Sequence, residues 1–192
     1  MISETLLAAW LLAAMLRWLP VEAPVDLARY QSIADDTAAV ALDPWEAPLY
    51  PGRHGRARTA LQLLAVQRFE GEFTEAVDEG RKRGRAGDVC GMQIVVPRGK
   101  RMLLTADLYR WLSPQQTGYE EAWTAEDLVP GSVPGRRENC VRAGLHMLRE
   151  SLRACRSLSL YTRGDCQPDA KARHREALAR ESIRRYPPPE AP

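Results

Sequence analysis

The residue best suited by type and position to do chemistry is Glu70, which follows an apolar stretch of the chain. Residues 61–66 read Leu-Gln-Leu-Leu-Ala-Val, so they predict a buried helix that ends near the acid. A carboxyl between Phe69 and Phe73 at the end of such a helix would be desolvated, and desolvation disfavours its charged form. This setting is typical of a general acid that keeps a proton near neutral pH.

Two further fragments carry groups that could surround this acid. One reads Gly91-Met92-Gln93-Ile94, and the other joins Asn-Cys-Val-Arg-Ala-Gly at residues 139–144 to Tyr-Thr-Arg-Gly at residues 161–164. Each fragment alone is common in proteins. Their order and relative spacing along one chain are the informative feature.

Together the fragments resemble the lysozyme-like lytic transglycosylases, the group of soluble lytic transglycosylases and goose-type lysozymes. That family has a helix ending in Glu-Ser-x-Phe, then Gly-Leu-Met-Gln, then Asn-x-x-Ala-Gly-x-x-Tyr-Leu, then Tyr-Asn-x-Gly. The resemblance covers roughly residues 57–166. This chain departs from the pattern at three points: Gly71 replaces the family's serine, the leucine before Met92 is missing, and the last motif lacks its asparagine.

The resemblance implies a mainly α, lysozyme-like fold with a short β or irregular segment, and cleavage of the MurNAc-GlcNAc β-1,4 bond of peptidoglycan. In this reading Glu70 is the single acid and base, the product is a 1,6-anhydro sugar, and neither a cofactor nor a metal is needed. The residues that would line the saccharide groove are Gln93, Met92, Tyr161 and Gly71.

Two questions about this chemistry stay open in the sequence. Glu72 and Asp88 are candidates for a second carboxylate that would hold a water and favour hydrolysis over ring closure. The loss of the family's serine and asparagine favours an alternative, an inactive lysozyme-fold protein that serves in a phage particle or a secretion machine. An arginine-rich nucleic-acid binder is the weakest hypothesis, because aromatic residues are not interleaved with the basic runs and no standard motif is present. No nucleic-acid partner is therefore expected.

Composition sets the limits of these hypotheses. The 192 residues are 45% hydrophobic and 27% charged, which is typical of a globular protein and excludes wholesale disorder. Of the 27 basic residues 24 are arginine, most simply an effect of GC-rich coding. Residues 1–50 hold two basic and seven acidic residues, whereas residues 51–192 hold 25 basic and 18 acidic. The basic part would suit an anionic partner such as a cell-wall polymer.

The four cysteines include no Cys-x-x-Cys pair, and the histidines do not complete a zinc framework, so no metal site is expected. Cys155 and Cys166 lie close in sequence across a predicted turn. This proximity favours the disulfides Cys155–Cys166 and Cys90–Cys140. The alternative is four reduced, buried cysteines.

The pattern of apolar residues predicts a mainly helical chain in three segments. These are an N-terminal helical extension at 1–50, a lysozyme-like domain at 51–168, and an arginine-rich helix with a proline-rich tail at 169–192. The predicted elements are helices at 5–16, 24–44, 59–70, 139–155 and 169–185, a strand candidate at 92–97, and short helices near 105–112 and 124–128.

The first predicted helix bears on location and partners. It has an N-cap at Ser3 and a stop at Pro20, is apolar all round, and lacks the basic start of a signal peptide. Three interpretations remain: a buried or partner-binding helix, a weak membrane anchor, and a cleaved signal. A wall-cleaving protein without a clear signal would act at the wall or periplasm after virion delivery, lysis or dedicated export. Phage or secretion-system proteins could then bind the N-terminal helix.

Overall fold

The computed structural model describes residues 2–21, 23–84, 87–105, 109–113, 115–116, 118, 122–129 and 135–189. Within these ranges the chain is mainly helical with one small sheet, which confirms the prediction of a mainly α fold with a short β segment. The helices are α1 Glu4–Trp18, α2 Pro24–Leu42, α3 Gly55–Glu70, α4 Glu75–Asp78, α5 Arg136–Cys155, α6 Ser159–Arg163 and α7 Ala170–Arg185. The strands are β1 Arg101–Leu104 and β2 Tyr109–Leu112, and a 3₁₀ turn covers Glu126–Leu128.

Helix α3 occupies the centre of the fold because apolar residues cover it on more than one side. Leu61 and Leu64 contribute to a core shared with α1, α2 and Ala179 of α7. Leu63 and Val66 contribute to a second core that contains α5 and the segment around Met92. A helix buried in this way is positioned by packing in several directions. The predicted division of the chain into three segments stays a prediction.

The first two helices agree closely with the sequence patterns. The Ser3 hydroxyl accepts a hydrogen bond from the Leu6 amide and caps α1, as expected. Helix α2 begins at Pro24, which suits a first helical position because its missing N–H has no partner to lose there. Among the described residues, none of the helices combines the length and apolarity required to span a bilayer.

The two strands lie outside the segment that the sequence offered as a candidate strand. Strand β2 falls where a short helix was expected near 105–112, and β1 pairs antiparallel with it in the register Arg101 to Leu112. Tyr109 and Trp111 alternate with Arg110 and Leu112, and aromatic residues fit a half-buried strand. The candidate strand at 92–97 contributes only one bridge, between Val89 and Ile94.

Three helix starts also differ from the predictions. Helix α3 begins at Gly55 instead of residue 59, and α5 begins at Arg136 instead of residue 139. Gly135 precedes α5 with a φ of 81°, a left-handed conformation that glycine adopts without a Cβ penalty. The short helix expected at 124–128 is the 3₁₀ turn Glu126–Leu128.

Both predicted disulfides are present. Cys90–Cys140 joins the segment before Met92 to α5, and Cys155–Cys166 links the end of α5 to the segment after α6. Cross-links of this kind restrict the unfolded chain and thereby stabilise the folded one.

Arginine residues attach α5 to the acidic N-terminal half of the chain. Arg137 makes two hydrogen bonds to the Asp78 carboxylate of α4, at 3.0 and 2.6 Å. Its Nη1 also donates to Asp36 Oδ2 of α2 at 2.7 Å and to the Ser32 hydroxyl. Burial raises the pKa of Asp36, and the Arg137 guanidinium opposes that rise. A planar, five-donor guanidinium can satisfy both carboxylates at once.

Further along α5, three of its side chains form hydrogen bonds to one buried acid. Glu46 accepts hydrogen bonds from Arg142 at 3.2 Å, His146 at 3.0 Å and Arg149 at 3.0 Å. Burial alone would raise the pKa of Glu46, but these three partners outweigh it and lower the pKa to about 2. The segment after α2 is thus held on α5 by charge.

The free energy of unfolding should depend on pH through the α5 cluster, formed by Glu46 with Arg142, His146 and Arg149. A pKa that is depressed in the folded state contributes stability above the unfolded value and loses it as pH falls through the folded value. For Glu46 the window runs from 4.5 down to about 2. We expect the stability gap between wild type and Glu46→Gln, on the order of 3 kcal/mol above pH 5, to shrink steadily across this window.

Urea denaturation at successive pH values measures this gap. The control is Glu126→Gln, whose exposed carboxylate lies 3.9 Å from Arg83 and should contribute little. A gap for Glu46→Gln that is independent of pH between 5 and 2 would contradict the assignment.

Candidate active site

The predicted acid lies at the edge of an open groove of about 330 Å³. Glu70 is the last residue of α3, and Gly71, Glu72 and Gln93 line the groove beside it. Lys82 and Arg83 lie on another side. The fold therefore collects four of the sequence-predicted site residues around one cavity.

The surroundings of Glu70 differ from the expected apolar ones. Its Oε1 accepts a hydrogen bond from Arg175 of α7, which is only 5% exposed, whereas the Glu70 side chain is 22% exposed. Phe69 is 41% exposed beside this pair, and Phe73 packs edge-to-face on Tyr30 at 5.3 Å in the core of the first helices. The carboxyl was expected to be desolvated beside two phenylalanines, whereas in the structure only Phe69 lies beside it and a guanidinium from α7 pairs with it.

Gly71 is explained by close packing. A Cβ at this position would lie 3.1 Å from Val77 Cγ1 and 3.5 Å from the Gly91 Cα. A serine in this conformation would be tight against Val77 of α4 and in ordinary contact with Gly91. The glycine thus suits the close packing of this corner.

The segment Gly91-Met92-Gln93 forms a tight turn between Val89 and Ile94. Gln93 has a φ of 50°, and its Nε2 donates to the Cys90 carbonyl at 3.0 Å. The side chain thus stabilises the turn and also lines the groove. Met92 is fully buried and lies in the second core, so its side chain supports the turn from behind and does not reach the groove.

Tyr161 connects the third fragment to this turn. Its hydroxyl donates to the Met92 carbonyl. Burial raises the pKa of Tyr161 well above its usual value, the Glu70 carboxylate adds to the rise, and Arg175 opposes it. The phenol therefore stays protonated as a donor, and it lies close enough to Glu70 to sense its charge.

The two candidate second carboxylates are placed differently. Glu72 lines the groove with a side chain that is 70% exposed, 3.8 Å from Arg68. The Asp88 carboxylate lies so close to Gly84 that a Cβ added to this glycine would collide with it. The same added Cβ would lie 3.0 Å from Gln93 Oε1. Asp88 and Gln93 therefore face the same groove residue.

Sequence analysis missed Arg175, which lies 105 positions after Glu70 in a helix that was assigned to a separate segment. It also missed Glu46, the most strongly hydrogen-bonded acid of the α5 cluster. A basic residue in a polar helix carries no local signal for a tertiary ion pair. Only the packing of α7 on α3 reveals the contact.

Comparison with protein-family models, with curated proteins and with solved structures finds no match to this chain. Within the described residues, no group of three or more histidine, cysteine, aspartate or glutamate side chains is placed to hold a metal ion. The site is therefore interpreted from its own geometry.

The contact between Gly144 and Met92 gives a direct test of how the fragments support the turn. A Cβ at Gly144 would lie 2.8 Å from Met92 Cγ, so Gly144→Ala should push Met92 aside and cost about 1–3 kcal/mol of unfolding free energy. A Met92→Ala background removes the two closest atoms, Cε and Cγ, and leaves only the Cβ at 3.2 Å. The same change should then cost clearly less, because the remaining close contact is partly offset by the higher helix propensity of alanine, about 1 kcal/mol.

Denaturant unfolding of the four proteins in this double-mutant cycle measures the coupling. Equal effects of Gly144→Ala in both backgrounds would show that the two residues do not interact.

Proposed function

We propose that the protein is a peptidoglycan lytic transglycosylase with a lysozyme-like site, in which Glu70 is both acid and base. The observation that carries the proposal is the groove at the end of α3, which joins Glu70 to Gly71, Glu72 and Gln93. Tyr161 supports the same turn from α6. Two of the three fragments thus line one groove, and the third contacts the turn at Met92 through Tyr161.

The chemistry would proceed through the free oxygen of Glu70. Arg175 binds Oε1, and Oε2 has no hydrogen-bond partner among the described residues. A protonated Oε2 would donate to the bridging oxygen between the two sugars, while the substrate's own N-acetyl group stabilises the developing sugar cation. Glu70 would then accept the proton of the C6 hydroxyl as this oxygen closes the 1,6-anhydro ring.

The other groove residues would have supporting roles. Gln93 Oε1 and the backbone around Gly71 would contact the glycan, and Lys82 and Arg83 would attract a polymer that is anionic overall. Glu72 or Asp88 could orient a water, in which case hydrolysis would compete with ring closure. The sugar product distinguishes the two outcomes, since an anhydro end is lighter than a reducing end by one water.

The first test is digestion of purified peptidoglycan sacculi, with the released muropeptides analysed by mass. Wild type should release anhydro-muropeptides, and Glu70→Gln should reduce their release by at least a hundredfold because the proton donor is lost. The matched control is Glu75→Gln, an exposed acid of α4 that should leave the rate unchanged. No release by wild type would overturn the proposal.

Glu70→Gln leaves the buried Arg175 without a carboxylate, which can cost several kcal/mol. A second variant, Glu70→Gln with Arg175→Met, removes both charges and keeps the apolar volume. It should melt as cooperatively as wild type and still release no product. This separates loss of the acid from loss of the fold.

The ion pair between Glu70 and Arg175 also favours a second candidate, a lysozyme-fold structural or assembly protein without activity. In that case the ion pair would only stabilise the packing of α7 on α3, and Gly71 would mark the loss of the family's serine. Its partners would be phage or secretion-system proteins that bind the N-terminal helix.

Arg175→Met distinguishes the two candidates. This variant keeps the Glu70 carboxyl and removes only its partner. If the site is catalytic, the single variant should therefore still release anhydro-muropeptides, which Glu70→Gln does not. A structural protein would release none in either form, and the single variant would only be less stable.

A further inference from the structure

A second pocket lies between α3, the end of α5 and α7, on residues that the proposed glycosidase site does not use. Its volume is about 460 Å³. Four arginines line it, namely Arg58, Arg156, Arg180 and Arg184, together with one acid, Glu176. The lining therefore carries three net positive charges.

The arginines are only weakly engaged. Arg58 lies over the Tyr50 ring at 4.5 Å, and Arg184 is 4.0 Å from Glu181. In the part of the chain that the structure describes, the guanidinium groups of Arg156 and Arg180 have no hydrogen-bond or ion-pair partner, although the Arg156 backbone N–H donates to the Leu152 carbonyl. Glu176 is partly engaged, since its Oε1 accepts from the Leu158 amide at 2.9 Å.

A buried amide adds an unused donor. Gln62 is 1% exposed and lines the pocket, and its Oε1 accepts a hydrogen bond from the Tyr50 hydroxyl at 3.0 Å. Burial and the nearby Glu176 raise the pKa of Tyr50 to about 12, so the phenol keeps its proton. Gln62 Nε2 is buried and has no partner among the described residues. A buried unsatisfied donor is costly and calls for an acceptor.

The pocket also has an apolar side, formed by Leu152, Ala179 and Ile183. We propose that this pocket binds a small phosphate monoester, with the phosphate against Arg156 and Arg180 and the organic group on the apolar side. Guanidinium groups pair well with phosphate oxygens in a bidentate manner. Three net charges fit a dianionic monoester better than a carboxylate or a diester, each of which carries one charge.

The proposal is independent of the proposed glycosidase activity, because none of its residues lines the groove at Glu70. It can be tested by calorimetric titration of the full chain with phenyl phosphate. Phenyl phosphate should bind at least tenfold more tightly than benzoate or inorganic phosphate, since only phenyl phosphate uses both the charge and the apolar side.

The variants Arg156→Ala and Arg180→Ala should each weaken binding of phenyl phosphate about tenfold. Both residues are exposed, so neither change should affect folding. The matched control is Arg173→Ala. It removes an exposed arginine of α7, the helix that also carries Arg180, but this arginine lies outside the pocket and its removal should leave the affinity unchanged. Equal weakening by all three variants would indicate general charge attraction and would overturn the proposal, as would no binding of phenyl phosphate at millimolar concentration.

A lipid headgroup offers the same phosphate chemistry. Vesicles of phosphatidylcholine with and without phosphatidate distinguish it from a soluble ligand. If the ligand is soluble, any cosedimentation of the protein with phosphatidate vesicles should be the same for wild type, Arg156→Ala and Arg180→Ala. Cosedimentation with phosphatidate that Arg180→Ala abolishes would replace the soluble ligand by a membrane and overturn the proposal as stated.

Discussion

Helix α5 presents Arg137, Arg142, His146 and Arg149 to acids that lie about a hundred positions earlier in the chain. Partly buried charges are costly unless they are paired, so these contacts favour the packing of α2 and the segment after it on α5. The same helix packs on the turn at Met92 through Gly144 and the Cys90–Cys140 disulfide. The turn that carries the groove residue Gln93 therefore rests on a helix that is held by charge pairs outside the groove.

The site is supported in a similar indirect way. Three contacts hold the turn at residues 90–93: the Cys90–Cys140 disulfide, the close approach of Gly144 to Met92, and the Tyr161 hydroxyl. These contacts determine where Gln93 lies relative to Glu70. Met92 and Ile94 contribute by filling the second core, which holds the turn from behind.

Arginine has two different roles in this structure. On α5 and at Glu70 it pairs with buried or partly buried acids, whereas Arg58, Arg156, Arg180 and Arg184 line a pocket with net positive charge. Many other arginines are exposed and need no explanation beyond base composition. The overall arginine excess thus says little, whereas the few partly buried guanidinium groups join helices that are distant in sequence.

Short-range patterns were sufficient for the five long helices and the disulfide pairing, whereas the short helices α4 and α6 were not predicted. Ser3, Pro24 and Asp169 set helix starts through local hydrogen bonds or a restricted φ, and the apolar stripe of α5 specifies its buried face. The sheet at 101–112 was missed because a four-residue strand contains too few alternations to be distinguished from a helix. The acid Glu70 and its neighbours Gly71, Glu72 and Gln93 were identified from motif order. Tertiary structure alone decided that Arg175 binds Glu70 and that Glu46 is buried, because an ion pair between distant residues depends on how helices pack and leaves no periodic signal in the chain.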